Sequence, residues 1–126
     1  MREKRIDLKS LKYIIISIIV LLFLSACTKV SDEDLLKARE AVKNGALIVD
    51  VRTPKEYREK HIPNAINIPI GNILKGQINL PKDKEIVLYC RTGSRSGVVA
   101  KVLKEKGWSV YDVANQSEWE REIKKK

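Results

Sequence analysis

Cysteine and histidine are scarce in this chain. Its 126 residues include two cysteines, Cys27 and Cys90, and a single histidine, His61. The two cysteines permit at most one disulfide, and protein metal centres mostly need several cysteine, histidine or carboxylate ligands close together. We therefore expect no metal site, and no motif in the sequence indicates a cofactor.

Acidic and aromatic residues are also few. The 25 lysines and arginines exceed the 16 aspartates and glutamates, which gives a formal net charge of +9, and aromatic residues make up only 6% of the chain. No stretch interleaves basic with aromatic side chains, so we expect no nucleic-acid partner. The positive charge instead indicates a solvated surface, an attraction to anionic lipid headgroups, or small anionic substrates.

A long hydrophobic run is missing as well. The apolar run at residues 13–24 has about a dozen residues, whereas a membrane span requires roughly twenty. It follows a basic segment, as the core of a secretory signal peptide does. The run ends in Leu24-Ser25-Ala26-Cys27, which resembles the bacterial lipobox, in which the cysteine is lipidated and becomes the mature N-terminus. The alternative is a plain N-terminal membrane anchor with an incidental cysteine.

The targeting segment divides the chain into three parts. We expect a lipoprotein signal peptide at residues 1–26, the lipidated Cys27 with a short tether at residues 27–33, and one domain at residues 34–126. The lipid would hold the protein, as a monomer, at the cell membrane or the outer membrane, facing away from the cytoplasm. Cys90 is then the only thiol of the mature chain, and its polar neighbours in sequence indicate a reactive cysteine.

Short apolar runs alternate with helical patterns along the domain. Strands are predicted at residues 46–51, 65–68, 85–89 and 108–113, helices are predicted after Ser31, after Thr53, after the Cys90 loop and at residues 117–125, and residues 71–84 are predicted to form a loop. This alternation predicts an α/β fold with a parallel sheet covered on both faces. Asp50-Val51-Arg52 and Cys90 fall at carboxyl ends of strands, where the binding crevice of such a sheet lies.

The most informative stretch begins at Cys90. A predicted strand leads into this cysteine, which is followed by Arg91-Thr92-Gly93-Ser94-Arg95-Ser96 and a helical pattern. Backbone N–H groups and a helix N-terminus around a thiol bind anions and lower the thiol pKa. Gly93 permits a turn that a side chain would block. We expect Arg95 to point toward the thiol and Arg91 toward solvent.

Three ordered motifs resemble the single-domain rhodanese family. They are Asp50-Val51-Arg52-Thr53-Pro54-Lys55-Glu56-Tyr57, His61-Ile62-Pro63-Asn64-Ala65-Ile66-Asn67-Ile68-Pro69 and Cys90-Arg91-Thr92-Gly93-Ser94-Arg95-Ser96. The resemblance implies a three-layer α/β domain with a central, mainly parallel five-stranded sheet flanked by helices. It also implies a sulfurtransferase, in which Cys90 takes a sulfane sulfur from thiosulfate or a similar donor as a persulfide and passes it to cyanide or a thiol.

The resemblance also implies roles for single residues. Cys90 would be catalytic, and the substrate-binding residues would be Arg91, Thr92, Gly93, Ser94, Arg95 and Ser96. Asp50 and Arg52 would support the site structurally, and the stretch that contains His61 would be a turn, which disfavours a Cys–His dyad. The chain departs from the family pattern where Lys60 and Asn64 replace glycines, and where Asn115-Gln116-Ser117-Glu118-Trp119 replaces a Gly-Gly pair before a tryptophan.

Two other functions stay open at this point. One is a non-catalytic rhodanese module that binds a partner, although such modules often lack the cysteine that is present here. The other is a cysteine-dependent phosphatase or arsenate reductase. Those relatives have five residues between the cysteine and the arginine, whereas four residues separate Cys90 from Arg95.

Overall fold

The N-terminal apolar run forms a helix that stands before the domain in the chain. The computed structural model describes residues 5–24 and 29–125. Helix α1 spans Leu8–Leu24, and its side chains at residues 8–21 are exposed. No helix in these two described ranges has both the length and the hydropathy to cross a membrane. Cys27, the predicted lipidation site, lies outside the described residues.

The domain is built on one parallel sheet. Its strands are β1 (Leu47–Asp50), β2 (Ile66–Asn67), β3 (Ile86–Cys90) and β4 (Val110–Asn115), in the order β2-β1-β3-β4. The prediction of five strands is wrong, since residues 29–125 contribute four strands to this sheet. Of the described residues directly before this domain, only Lys29 and Val30 precede Ser31, which caps the next helix.

Five helices accompany the sheet. They are α2 (Asp32–Lys43), α3 (Pro54–Glu59), α4 (Ile70–Leu74), α5 (Ser94–Glu105) and α6 (Gln116–Glu120). Ser31 caps α2, and Thr53 with Glu56 forms the capping box of α3, as the sequence predicts. Helix α4 lies in a segment that the sequence predicts to be a loop. The segment is helical here, and its Ile73 is buried. The last helix is shorter than predicted, since Arg121 leaves the helical conformation.

The sheet is covered on both faces, which makes the domain three-layered. Alternate residues of a strand point to opposite faces. On β3, Leu88 and Cys90 pack in a core cluster with Val99 and Leu103 of α5. The neighbouring Tyr89 belongs to the cluster on the other face, which includes residues of α2. Cys90 is therefore the last core residue of β3 on the α5 face.

The register of β1 and β3 brings the predicted site residues together. Asp50 lies opposite Tyr89, one residue before Cys90. Because the two strands are parallel neighbours, the chain leaves both at the same edge of the sheet. The turn after Asp50, the start of α3 and the Cys90 loop (residues 90–96) therefore share that edge.

Candidate active site

The Cys90 loop turns tightly from a buried strand into a helix. All five residues of β3 are buried, and α5 begins four residues after Cys90. Gly93 makes this turn with a φ of 98°, in the left-handed region that favours glycine. Gly93 also has no side chain to cap α5, so the N–H groups of the first turn are available to a ligand or an anion at Cys90.

The sulfur of Cys90 takes part in two hydrogen bonds inside the loop. The Gly93 N–H donates to Sγ at 3.0 Å, and the Cys90 thiol donates to Ser96 Oγ at 3.5 Å. The Ser96 hydroxyl also donates to the Gly93 carbonyl at 3.2 Å. Ser96 is fully buried and Cys90 is 2% exposed, so these contacts are screened from bulk water.

These contacts decide the ionisation of the thiol. Burial acts to raise the pKa of Cys90, but the Ser96 hydroxyl and the backbone N–H groups of Ser96, Gly93 and Thr92 outweigh it and lower the pKa below the ordinary value. A lower pKa increases the thiolate fraction near neutral pH, and the thiolate is the nucleophilic form. Three backbone N–H groups of the predicted loop, those of Thr92, Gly93 and Ser96, thus favour the thiolate, and a hydroxyl from the first turn of α5 adds to them.

Replacing Ser96 with alanine is expected to raise the pKa of Cys90, because the thiolate loses a buried hydrogen-bond donor. The rate of Cys90 alkylation, followed against pH, should show a midpoint at higher pH and a several-fold slower reaction near neutrality. Ser94→Ala is the matched control, since Ser94 is exposed and its hydroxyl contacts Thr92. An unchanged midpoint in Ser96→Ala would show that the hydroxyl does not stabilise the thiolate.

The two loop arginines are bound by a carboxylate that the sequence analysis did not assign to the site. Arg95 donates from both Nη atoms to the two oxygens of Glu56, at 2.8 and 3.0 Å. Arg91 donates from Nε to Glu56 Oε2 at 3.2 Å, and its side chain is 64% exposed. Arg91 is thus largely solvent-facing as expected, whereas the guanidinium of Arg95 contacts Glu56 rather than the thiol.

Glu56 is held ionised at the mouth of the loop. Its hydrogen bonds with Arg95 are the main cause that lowers its pKa to about 2 from 4.5, and the Thr53 N–H assists while burial opposes. The only sequence pattern that could have placed Glu56 near the site is the capping box in Thr53-Pro54-Lys55-Glu56, because it fixes Glu56 in the first turn of α3. That turn follows β1 and stands beside the end of β3.

A buried network lies behind the loop. Arg52 donates from Nε to both oxygens of Asp50 at 2.9 and 3.0 Å and from Nη2 to Oδ2 at 2.6 Å. The Tyr89 hydroxyl donates to Asp50 Oδ2 at 2.8 Å and accepts from the Ile62 N–H at 3.0 Å. Burial raises the pKa of Tyr89, so its hydroxyl keeps the proton that it donates. The Asp50 carboxylate is fully buried, and every polar side-chain atom that is buried in the described residues has a partner.

The network fixes the segments around the site. The Arg52 Nη2 donates to the Lys60 carbonyl at 2.6 Å, and the Asn67 amide donates to the Asp50 and Arg52 carbonyls at 3.0 and 2.9 Å. These bonds connect the end of β1 to the segment after α3 and to β2. Asp50 and Arg52 therefore join the segments that surround the site.

A cavity of about 600 Å³ lies over Cys90. Its lining on one side comes from Lys29, Arg52, Lys60 and Arg91. Its other side comes from the end of β4 and from α6, with Asn115, Gln116, Ser117, Glu118 and Glu120. We call this cavity the Cys90 pocket.

The α6 wall of the pocket follows an irregularity in β4. The register between β3 and β4 shifts at Leu88 and Cys90, so that Cys90 lies opposite Asn115. Ala114 has a φ of 61°, and Asn64, which replaces a family glycine, has a φ of 66°. Non-glycine residues rarely adopt such a conformation, which often occurs near functional sites. Asn115 then caps α6 by accepting from the Glu118 N–H.

His61 takes no part in the pocket. Its ring stacks on Tyr57 at 3.8 Å between centroids, and its Nδ1 lies 2.7 Å from the Tyr57 carbonyl oxygen. These contacts hold the ring against α3 rather than against the thiol. No group of three or more histidine, cysteine, aspartate and glutamate side chains in residues 5–24 and 29–125 is arranged to hold a metal ion.

Comparison with known proteins agrees with this geometry. Residues 31–120, well over half of the chain, match the model of the family described as Rhodanese-like domain. The chain belongs to the rhodanese-like family. A putative sulfurtransferase of Bacillus subtilis is 38% identical over 92 residues, which are 72% of this chain and 89% of that protein. A sulfurtransferase of Allochromatium vinosum is 36% identical over 77 residues, 61% of this chain and 72% of that protein.

Solved structures of rhodanese-like proteins share the fold. A rhodanese-related protein from Thermoplasma volcanium superposes with a TM-score of 0.58 at 32% identity, covering 68% of this chain and 85% of that one. The chain therefore carries a single rhodanese-like domain with sulfurtransferase homologues. Within this domain the loop from Cys90 to Arg95 is the short form, with four intervening residues.

Proposed function

We propose that this rhodanese-like protein transfers a sulfane sulfur through a persulfide on Cys90. The observation that carries the proposal is the Cys90 thiol itself, which has a lowered pKa and receives N–H bonds from its own loop at the floor of an open pocket. A persulfide places an anionic sulfur one bond further into that pocket. The N–H groups of α5 and the loop are then directed at the charge that the reaction creates.

The chemistry balances without a cofactor. The Cys90 thiolate attacks the outer sulfur of thiosulfate, the S–S bond of thiosulfate breaks, and sulfite leaves with its electron pair. Cyanide then attacks the outer sulfur of the Cys90 persulfide, which releases thiocyanate and restores the thiolate. A thiol acceptor would take the same sulfur and become a persulfide. Initial rates over a grid of donor and acceptor concentrations should show double-displacement kinetics, as expected for a covalent intermediate.

Rates that instead require both substrates to be bound together would contradict a persulfide intermediate. The donors to compare are the thiosulfate dianion and a singly charged organic persulfide, with cyanide as the acceptor. A domain that binds a partner without catalysis would turn over none of them.

Glu56 is expected to set the preference between donors of different charge. Glu56→Gln removes the negative charge that is paired with the two loop arginines, so kcat/KM for the thiosulfate dianion should rise several-fold relative to that for a singly charged organic persulfide. Glutamine still completes a capping box, which keeps the start of α3. Glu59→Gln is the matched control, because it makes the same charge change at an exposed position of the same helix.

An unchanged ratio of kcat/KM between the two donors in Glu56→Gln would show that the arginines act on neither donor.

The same variant tests the pH dependence of stability. A carboxyl with a folded-state pKa of about 2 against an ordinary 4.5 stabilises the fold fully above pH 4.5 and loses that effect as the pH falls toward 2. The difference in unfolding free energy between wild type and Glu56→Gln should shrink over that interval.

We also propose that the protein is anchored by lipid on Cys27 and works outside the cytoplasm, at the cell membrane or the outer membrane. The support is the sequence: a basic start, a short apolar core and Leu24-Ser25-Ala26-Cys27. Cys27→Ser should abolish incorporation of labelled fatty acid and leave an unprocessed precursor, whereas Cys90→Ser should be labelled as the wild type is. A correctly processed, membrane-extractable Cys27→Ser protein would contradict this anchor.

A further inference from the structure

The chain joins the folded domain at the mouth of the Cys90 pocket. Lys29 lines the pocket together with Cys90. The next residue, Val30, is 7% exposed and packs in the core cluster on the α2 face of the sheet. The transition from the preceding segment to the core therefore occurs within one residue, at the pocket rim.

This junction is held in place by Arg121. Its Nη2 donates to the Val30 carbonyl at 2.7 Å, and its Nη1 pairs with Asp32 at 2.6 Å. Its Nε pairs with Glu118 at 2.8 Å, and Glu118 is part of the pocket wall. One guanidinium thus ties the start of the domain to α6. The direction in which the chain arrives is fixed relative to the pocket.

The covalent distance to the N-terminal segment is short. Consecutive Cα atoms are 3.80 Å apart, so the two steps from Cys27 to Lys29 span at most about 7–8 Å. The five steps from Leu24, the last residue of α1, span at most about 19 Å. A membrane attachment at Cys27 or within α1 therefore keeps the rim at Lys29 within this reach of the attachment point.

We infer that the Cys90 pocket opens toward the membrane to which the N-terminus is attached, and that its sulfur acceptor is a thiol held at that membrane surface. The inference rests on the proposed attachment and on the proposed transfer chemistry. A tether of this covalent length keeps the pocket in the surface layer, where the effective concentration of a membrane-held group is far above that of the same group in bulk solution.

The charges at the rim allow this orientation. Lys29 and Lys60 line the mouth, and the opposing carboxylate of Glu118 is paired with Arg121. Glu120 is the remaining acidic lining residue, and its Oε1 accepts from the Gln116 side chain at 2.7 Å. Two lysine ammonium groups beside the pocket are attracted to anionic headgroups, an effect that salt weakens.

The transfer step needs no further reactant. The proton of the acceptor thiol passes to the anionic outer sulfur of the Cys90 persulfide, and the acceptor thiolate then attacks that sulfur and forms a new S–S bond. The bond between this sulfur and Cys90 Sγ breaks, and Cys90 leaves as a thiolate. The proton stays on the transferred sulfur, so the acceptor becomes a persulfide and the total charge and oxidation state are conserved.

The orientation is tested with the full lipidated protein in vesicles that contain a headgroup-nitroxide lipid. In one sample a small fluorophore is attached to Cys90. In the other, a Cys90→Ser, Lys104→Cys variant carries the fluorophore at position 104, near the far end of α5. Position 104 is ten residues along that helix from Ser94, a distance of about 15 Å. We expect the nitroxide to quench the label at position 90 several-fold more strongly than the label at position 104. A twenty-residue Gly/Ser linker inserted after Thr28 has a mean reach of about 25 Å and should remove most of this difference.

The acceptor is tested with the unlabelled wild-type protein, with and without the linker. Each is supplied with thiosulfate and with either vesicles that carry a thiol on a lipid headgroup or soluble glutathione. We expect the linker to lower transfer to the lipid thiol several-fold and to leave transfer to glutathione unchanged. Equal quenching at positions 90 and 104, or a linker without effect on the lipid thiol, would overturn the inference.

These experiments distinguish a failure of the proposed lipid anchor from a failure of the proposed sulfur transfer. Loss of flotation with the vesicles would overturn the anchor and this inference with it. Flotation without transfer to any acceptor would overturn the sulfur-transfer proposal and the acceptor assignment. Flotation and transfer to glutathione, with equal quenching at the two positions, would overturn the orientation alone.

Discussion

Cys90→Ser is expected to reduce sulfur transfer from every donor to the uncatalysed rate, with no loss of folded structure. A serine hydroxyl is almost entirely protonated at neutral pH and forms no persulfide, so the first step of the reaction is lost. The fold should persist, because the hydroxyl is smaller than the thiol and still accepts the N–H bond that Gly93 donates to Sγ at 3.0 Å. The measurements are thiocyanate formation and the thermal unfolding midpoint.

Ser94→Cys is a useful companion in the Cys90→Ser background. It places a thiol on the same loop, at an exposed position, without the buried donors of the native site. We expect no recovery of transfer, since reactivity depends on the N–H groups around position 90 and not on the presence of a thiol. Appreciable transfer by Cys90→Ser alone would remove Cys90 from the mechanism.

Asp50→Ala is expected to have the largest effect on stability. It leaves the Arg52 guanidinium, which is 8% exposed, without its counter-ion and removes the acceptor of the Tyr89 hydroxyl. Removal of one partner of a buried ion pair costs about 3–5 kcal/mol. For a domain of this size that is a large part of the total free energy of unfolding. Urea denaturation monitored by tryptophan fluorescence measures the loss.

The matched control is Asp83→Ala, which removes an exposed aspartate and should change the free energy of unfolding by less than about 0.5 kcal/mol. Adding Arg52→Ala to Asp50→Ala should recover part of the loss, because the unpaired charge is then gone. A cost below about 1 kcal/mol for Asp50→Ala would contradict the view that this pair holds the site.

Local patterns predicted the elements that their own residues determine. Ser31, Thr53 and Gly93 mark helix starts through capping and turn geometry, and the apolar run before Cys90 marks β3. The motif Cys90–Ser96 also predicted the N–H donors around the thiol, because those donors come from the backbone of one continuous segment. These features depend on few residues that are close in sequence.

Individual side-chain contacts and element boundaries that depend on distant segments were not predicted. The Glu56–Arg95 contact joins α3 to α5 across 39 positions, and the local pattern reveals only the helix cap at Glu56. The fifth strand came from the resemblance and has no counterpart in the four-stranded sheet. Residues 71–84 are predicted to be a loop from the turn chemistry of Pro81 and Asp83, whereas the burial of Ile73 in the core cluster decides the conformation of α4.

The most direct test of the account is the intact mass of the protein after reaction with thiosulfate. We predict an increase of one sulfur atom, located by fragmentation on Cys90, which cyanide or a thiol removes and which Cys90→Ser does not acquire. The same sample should hydrolyse no aryl phosphate. An unmodified Cys90 during turnover, or a phosphorylated Cys90 after incubation with an aryl phosphate, would contradict the account.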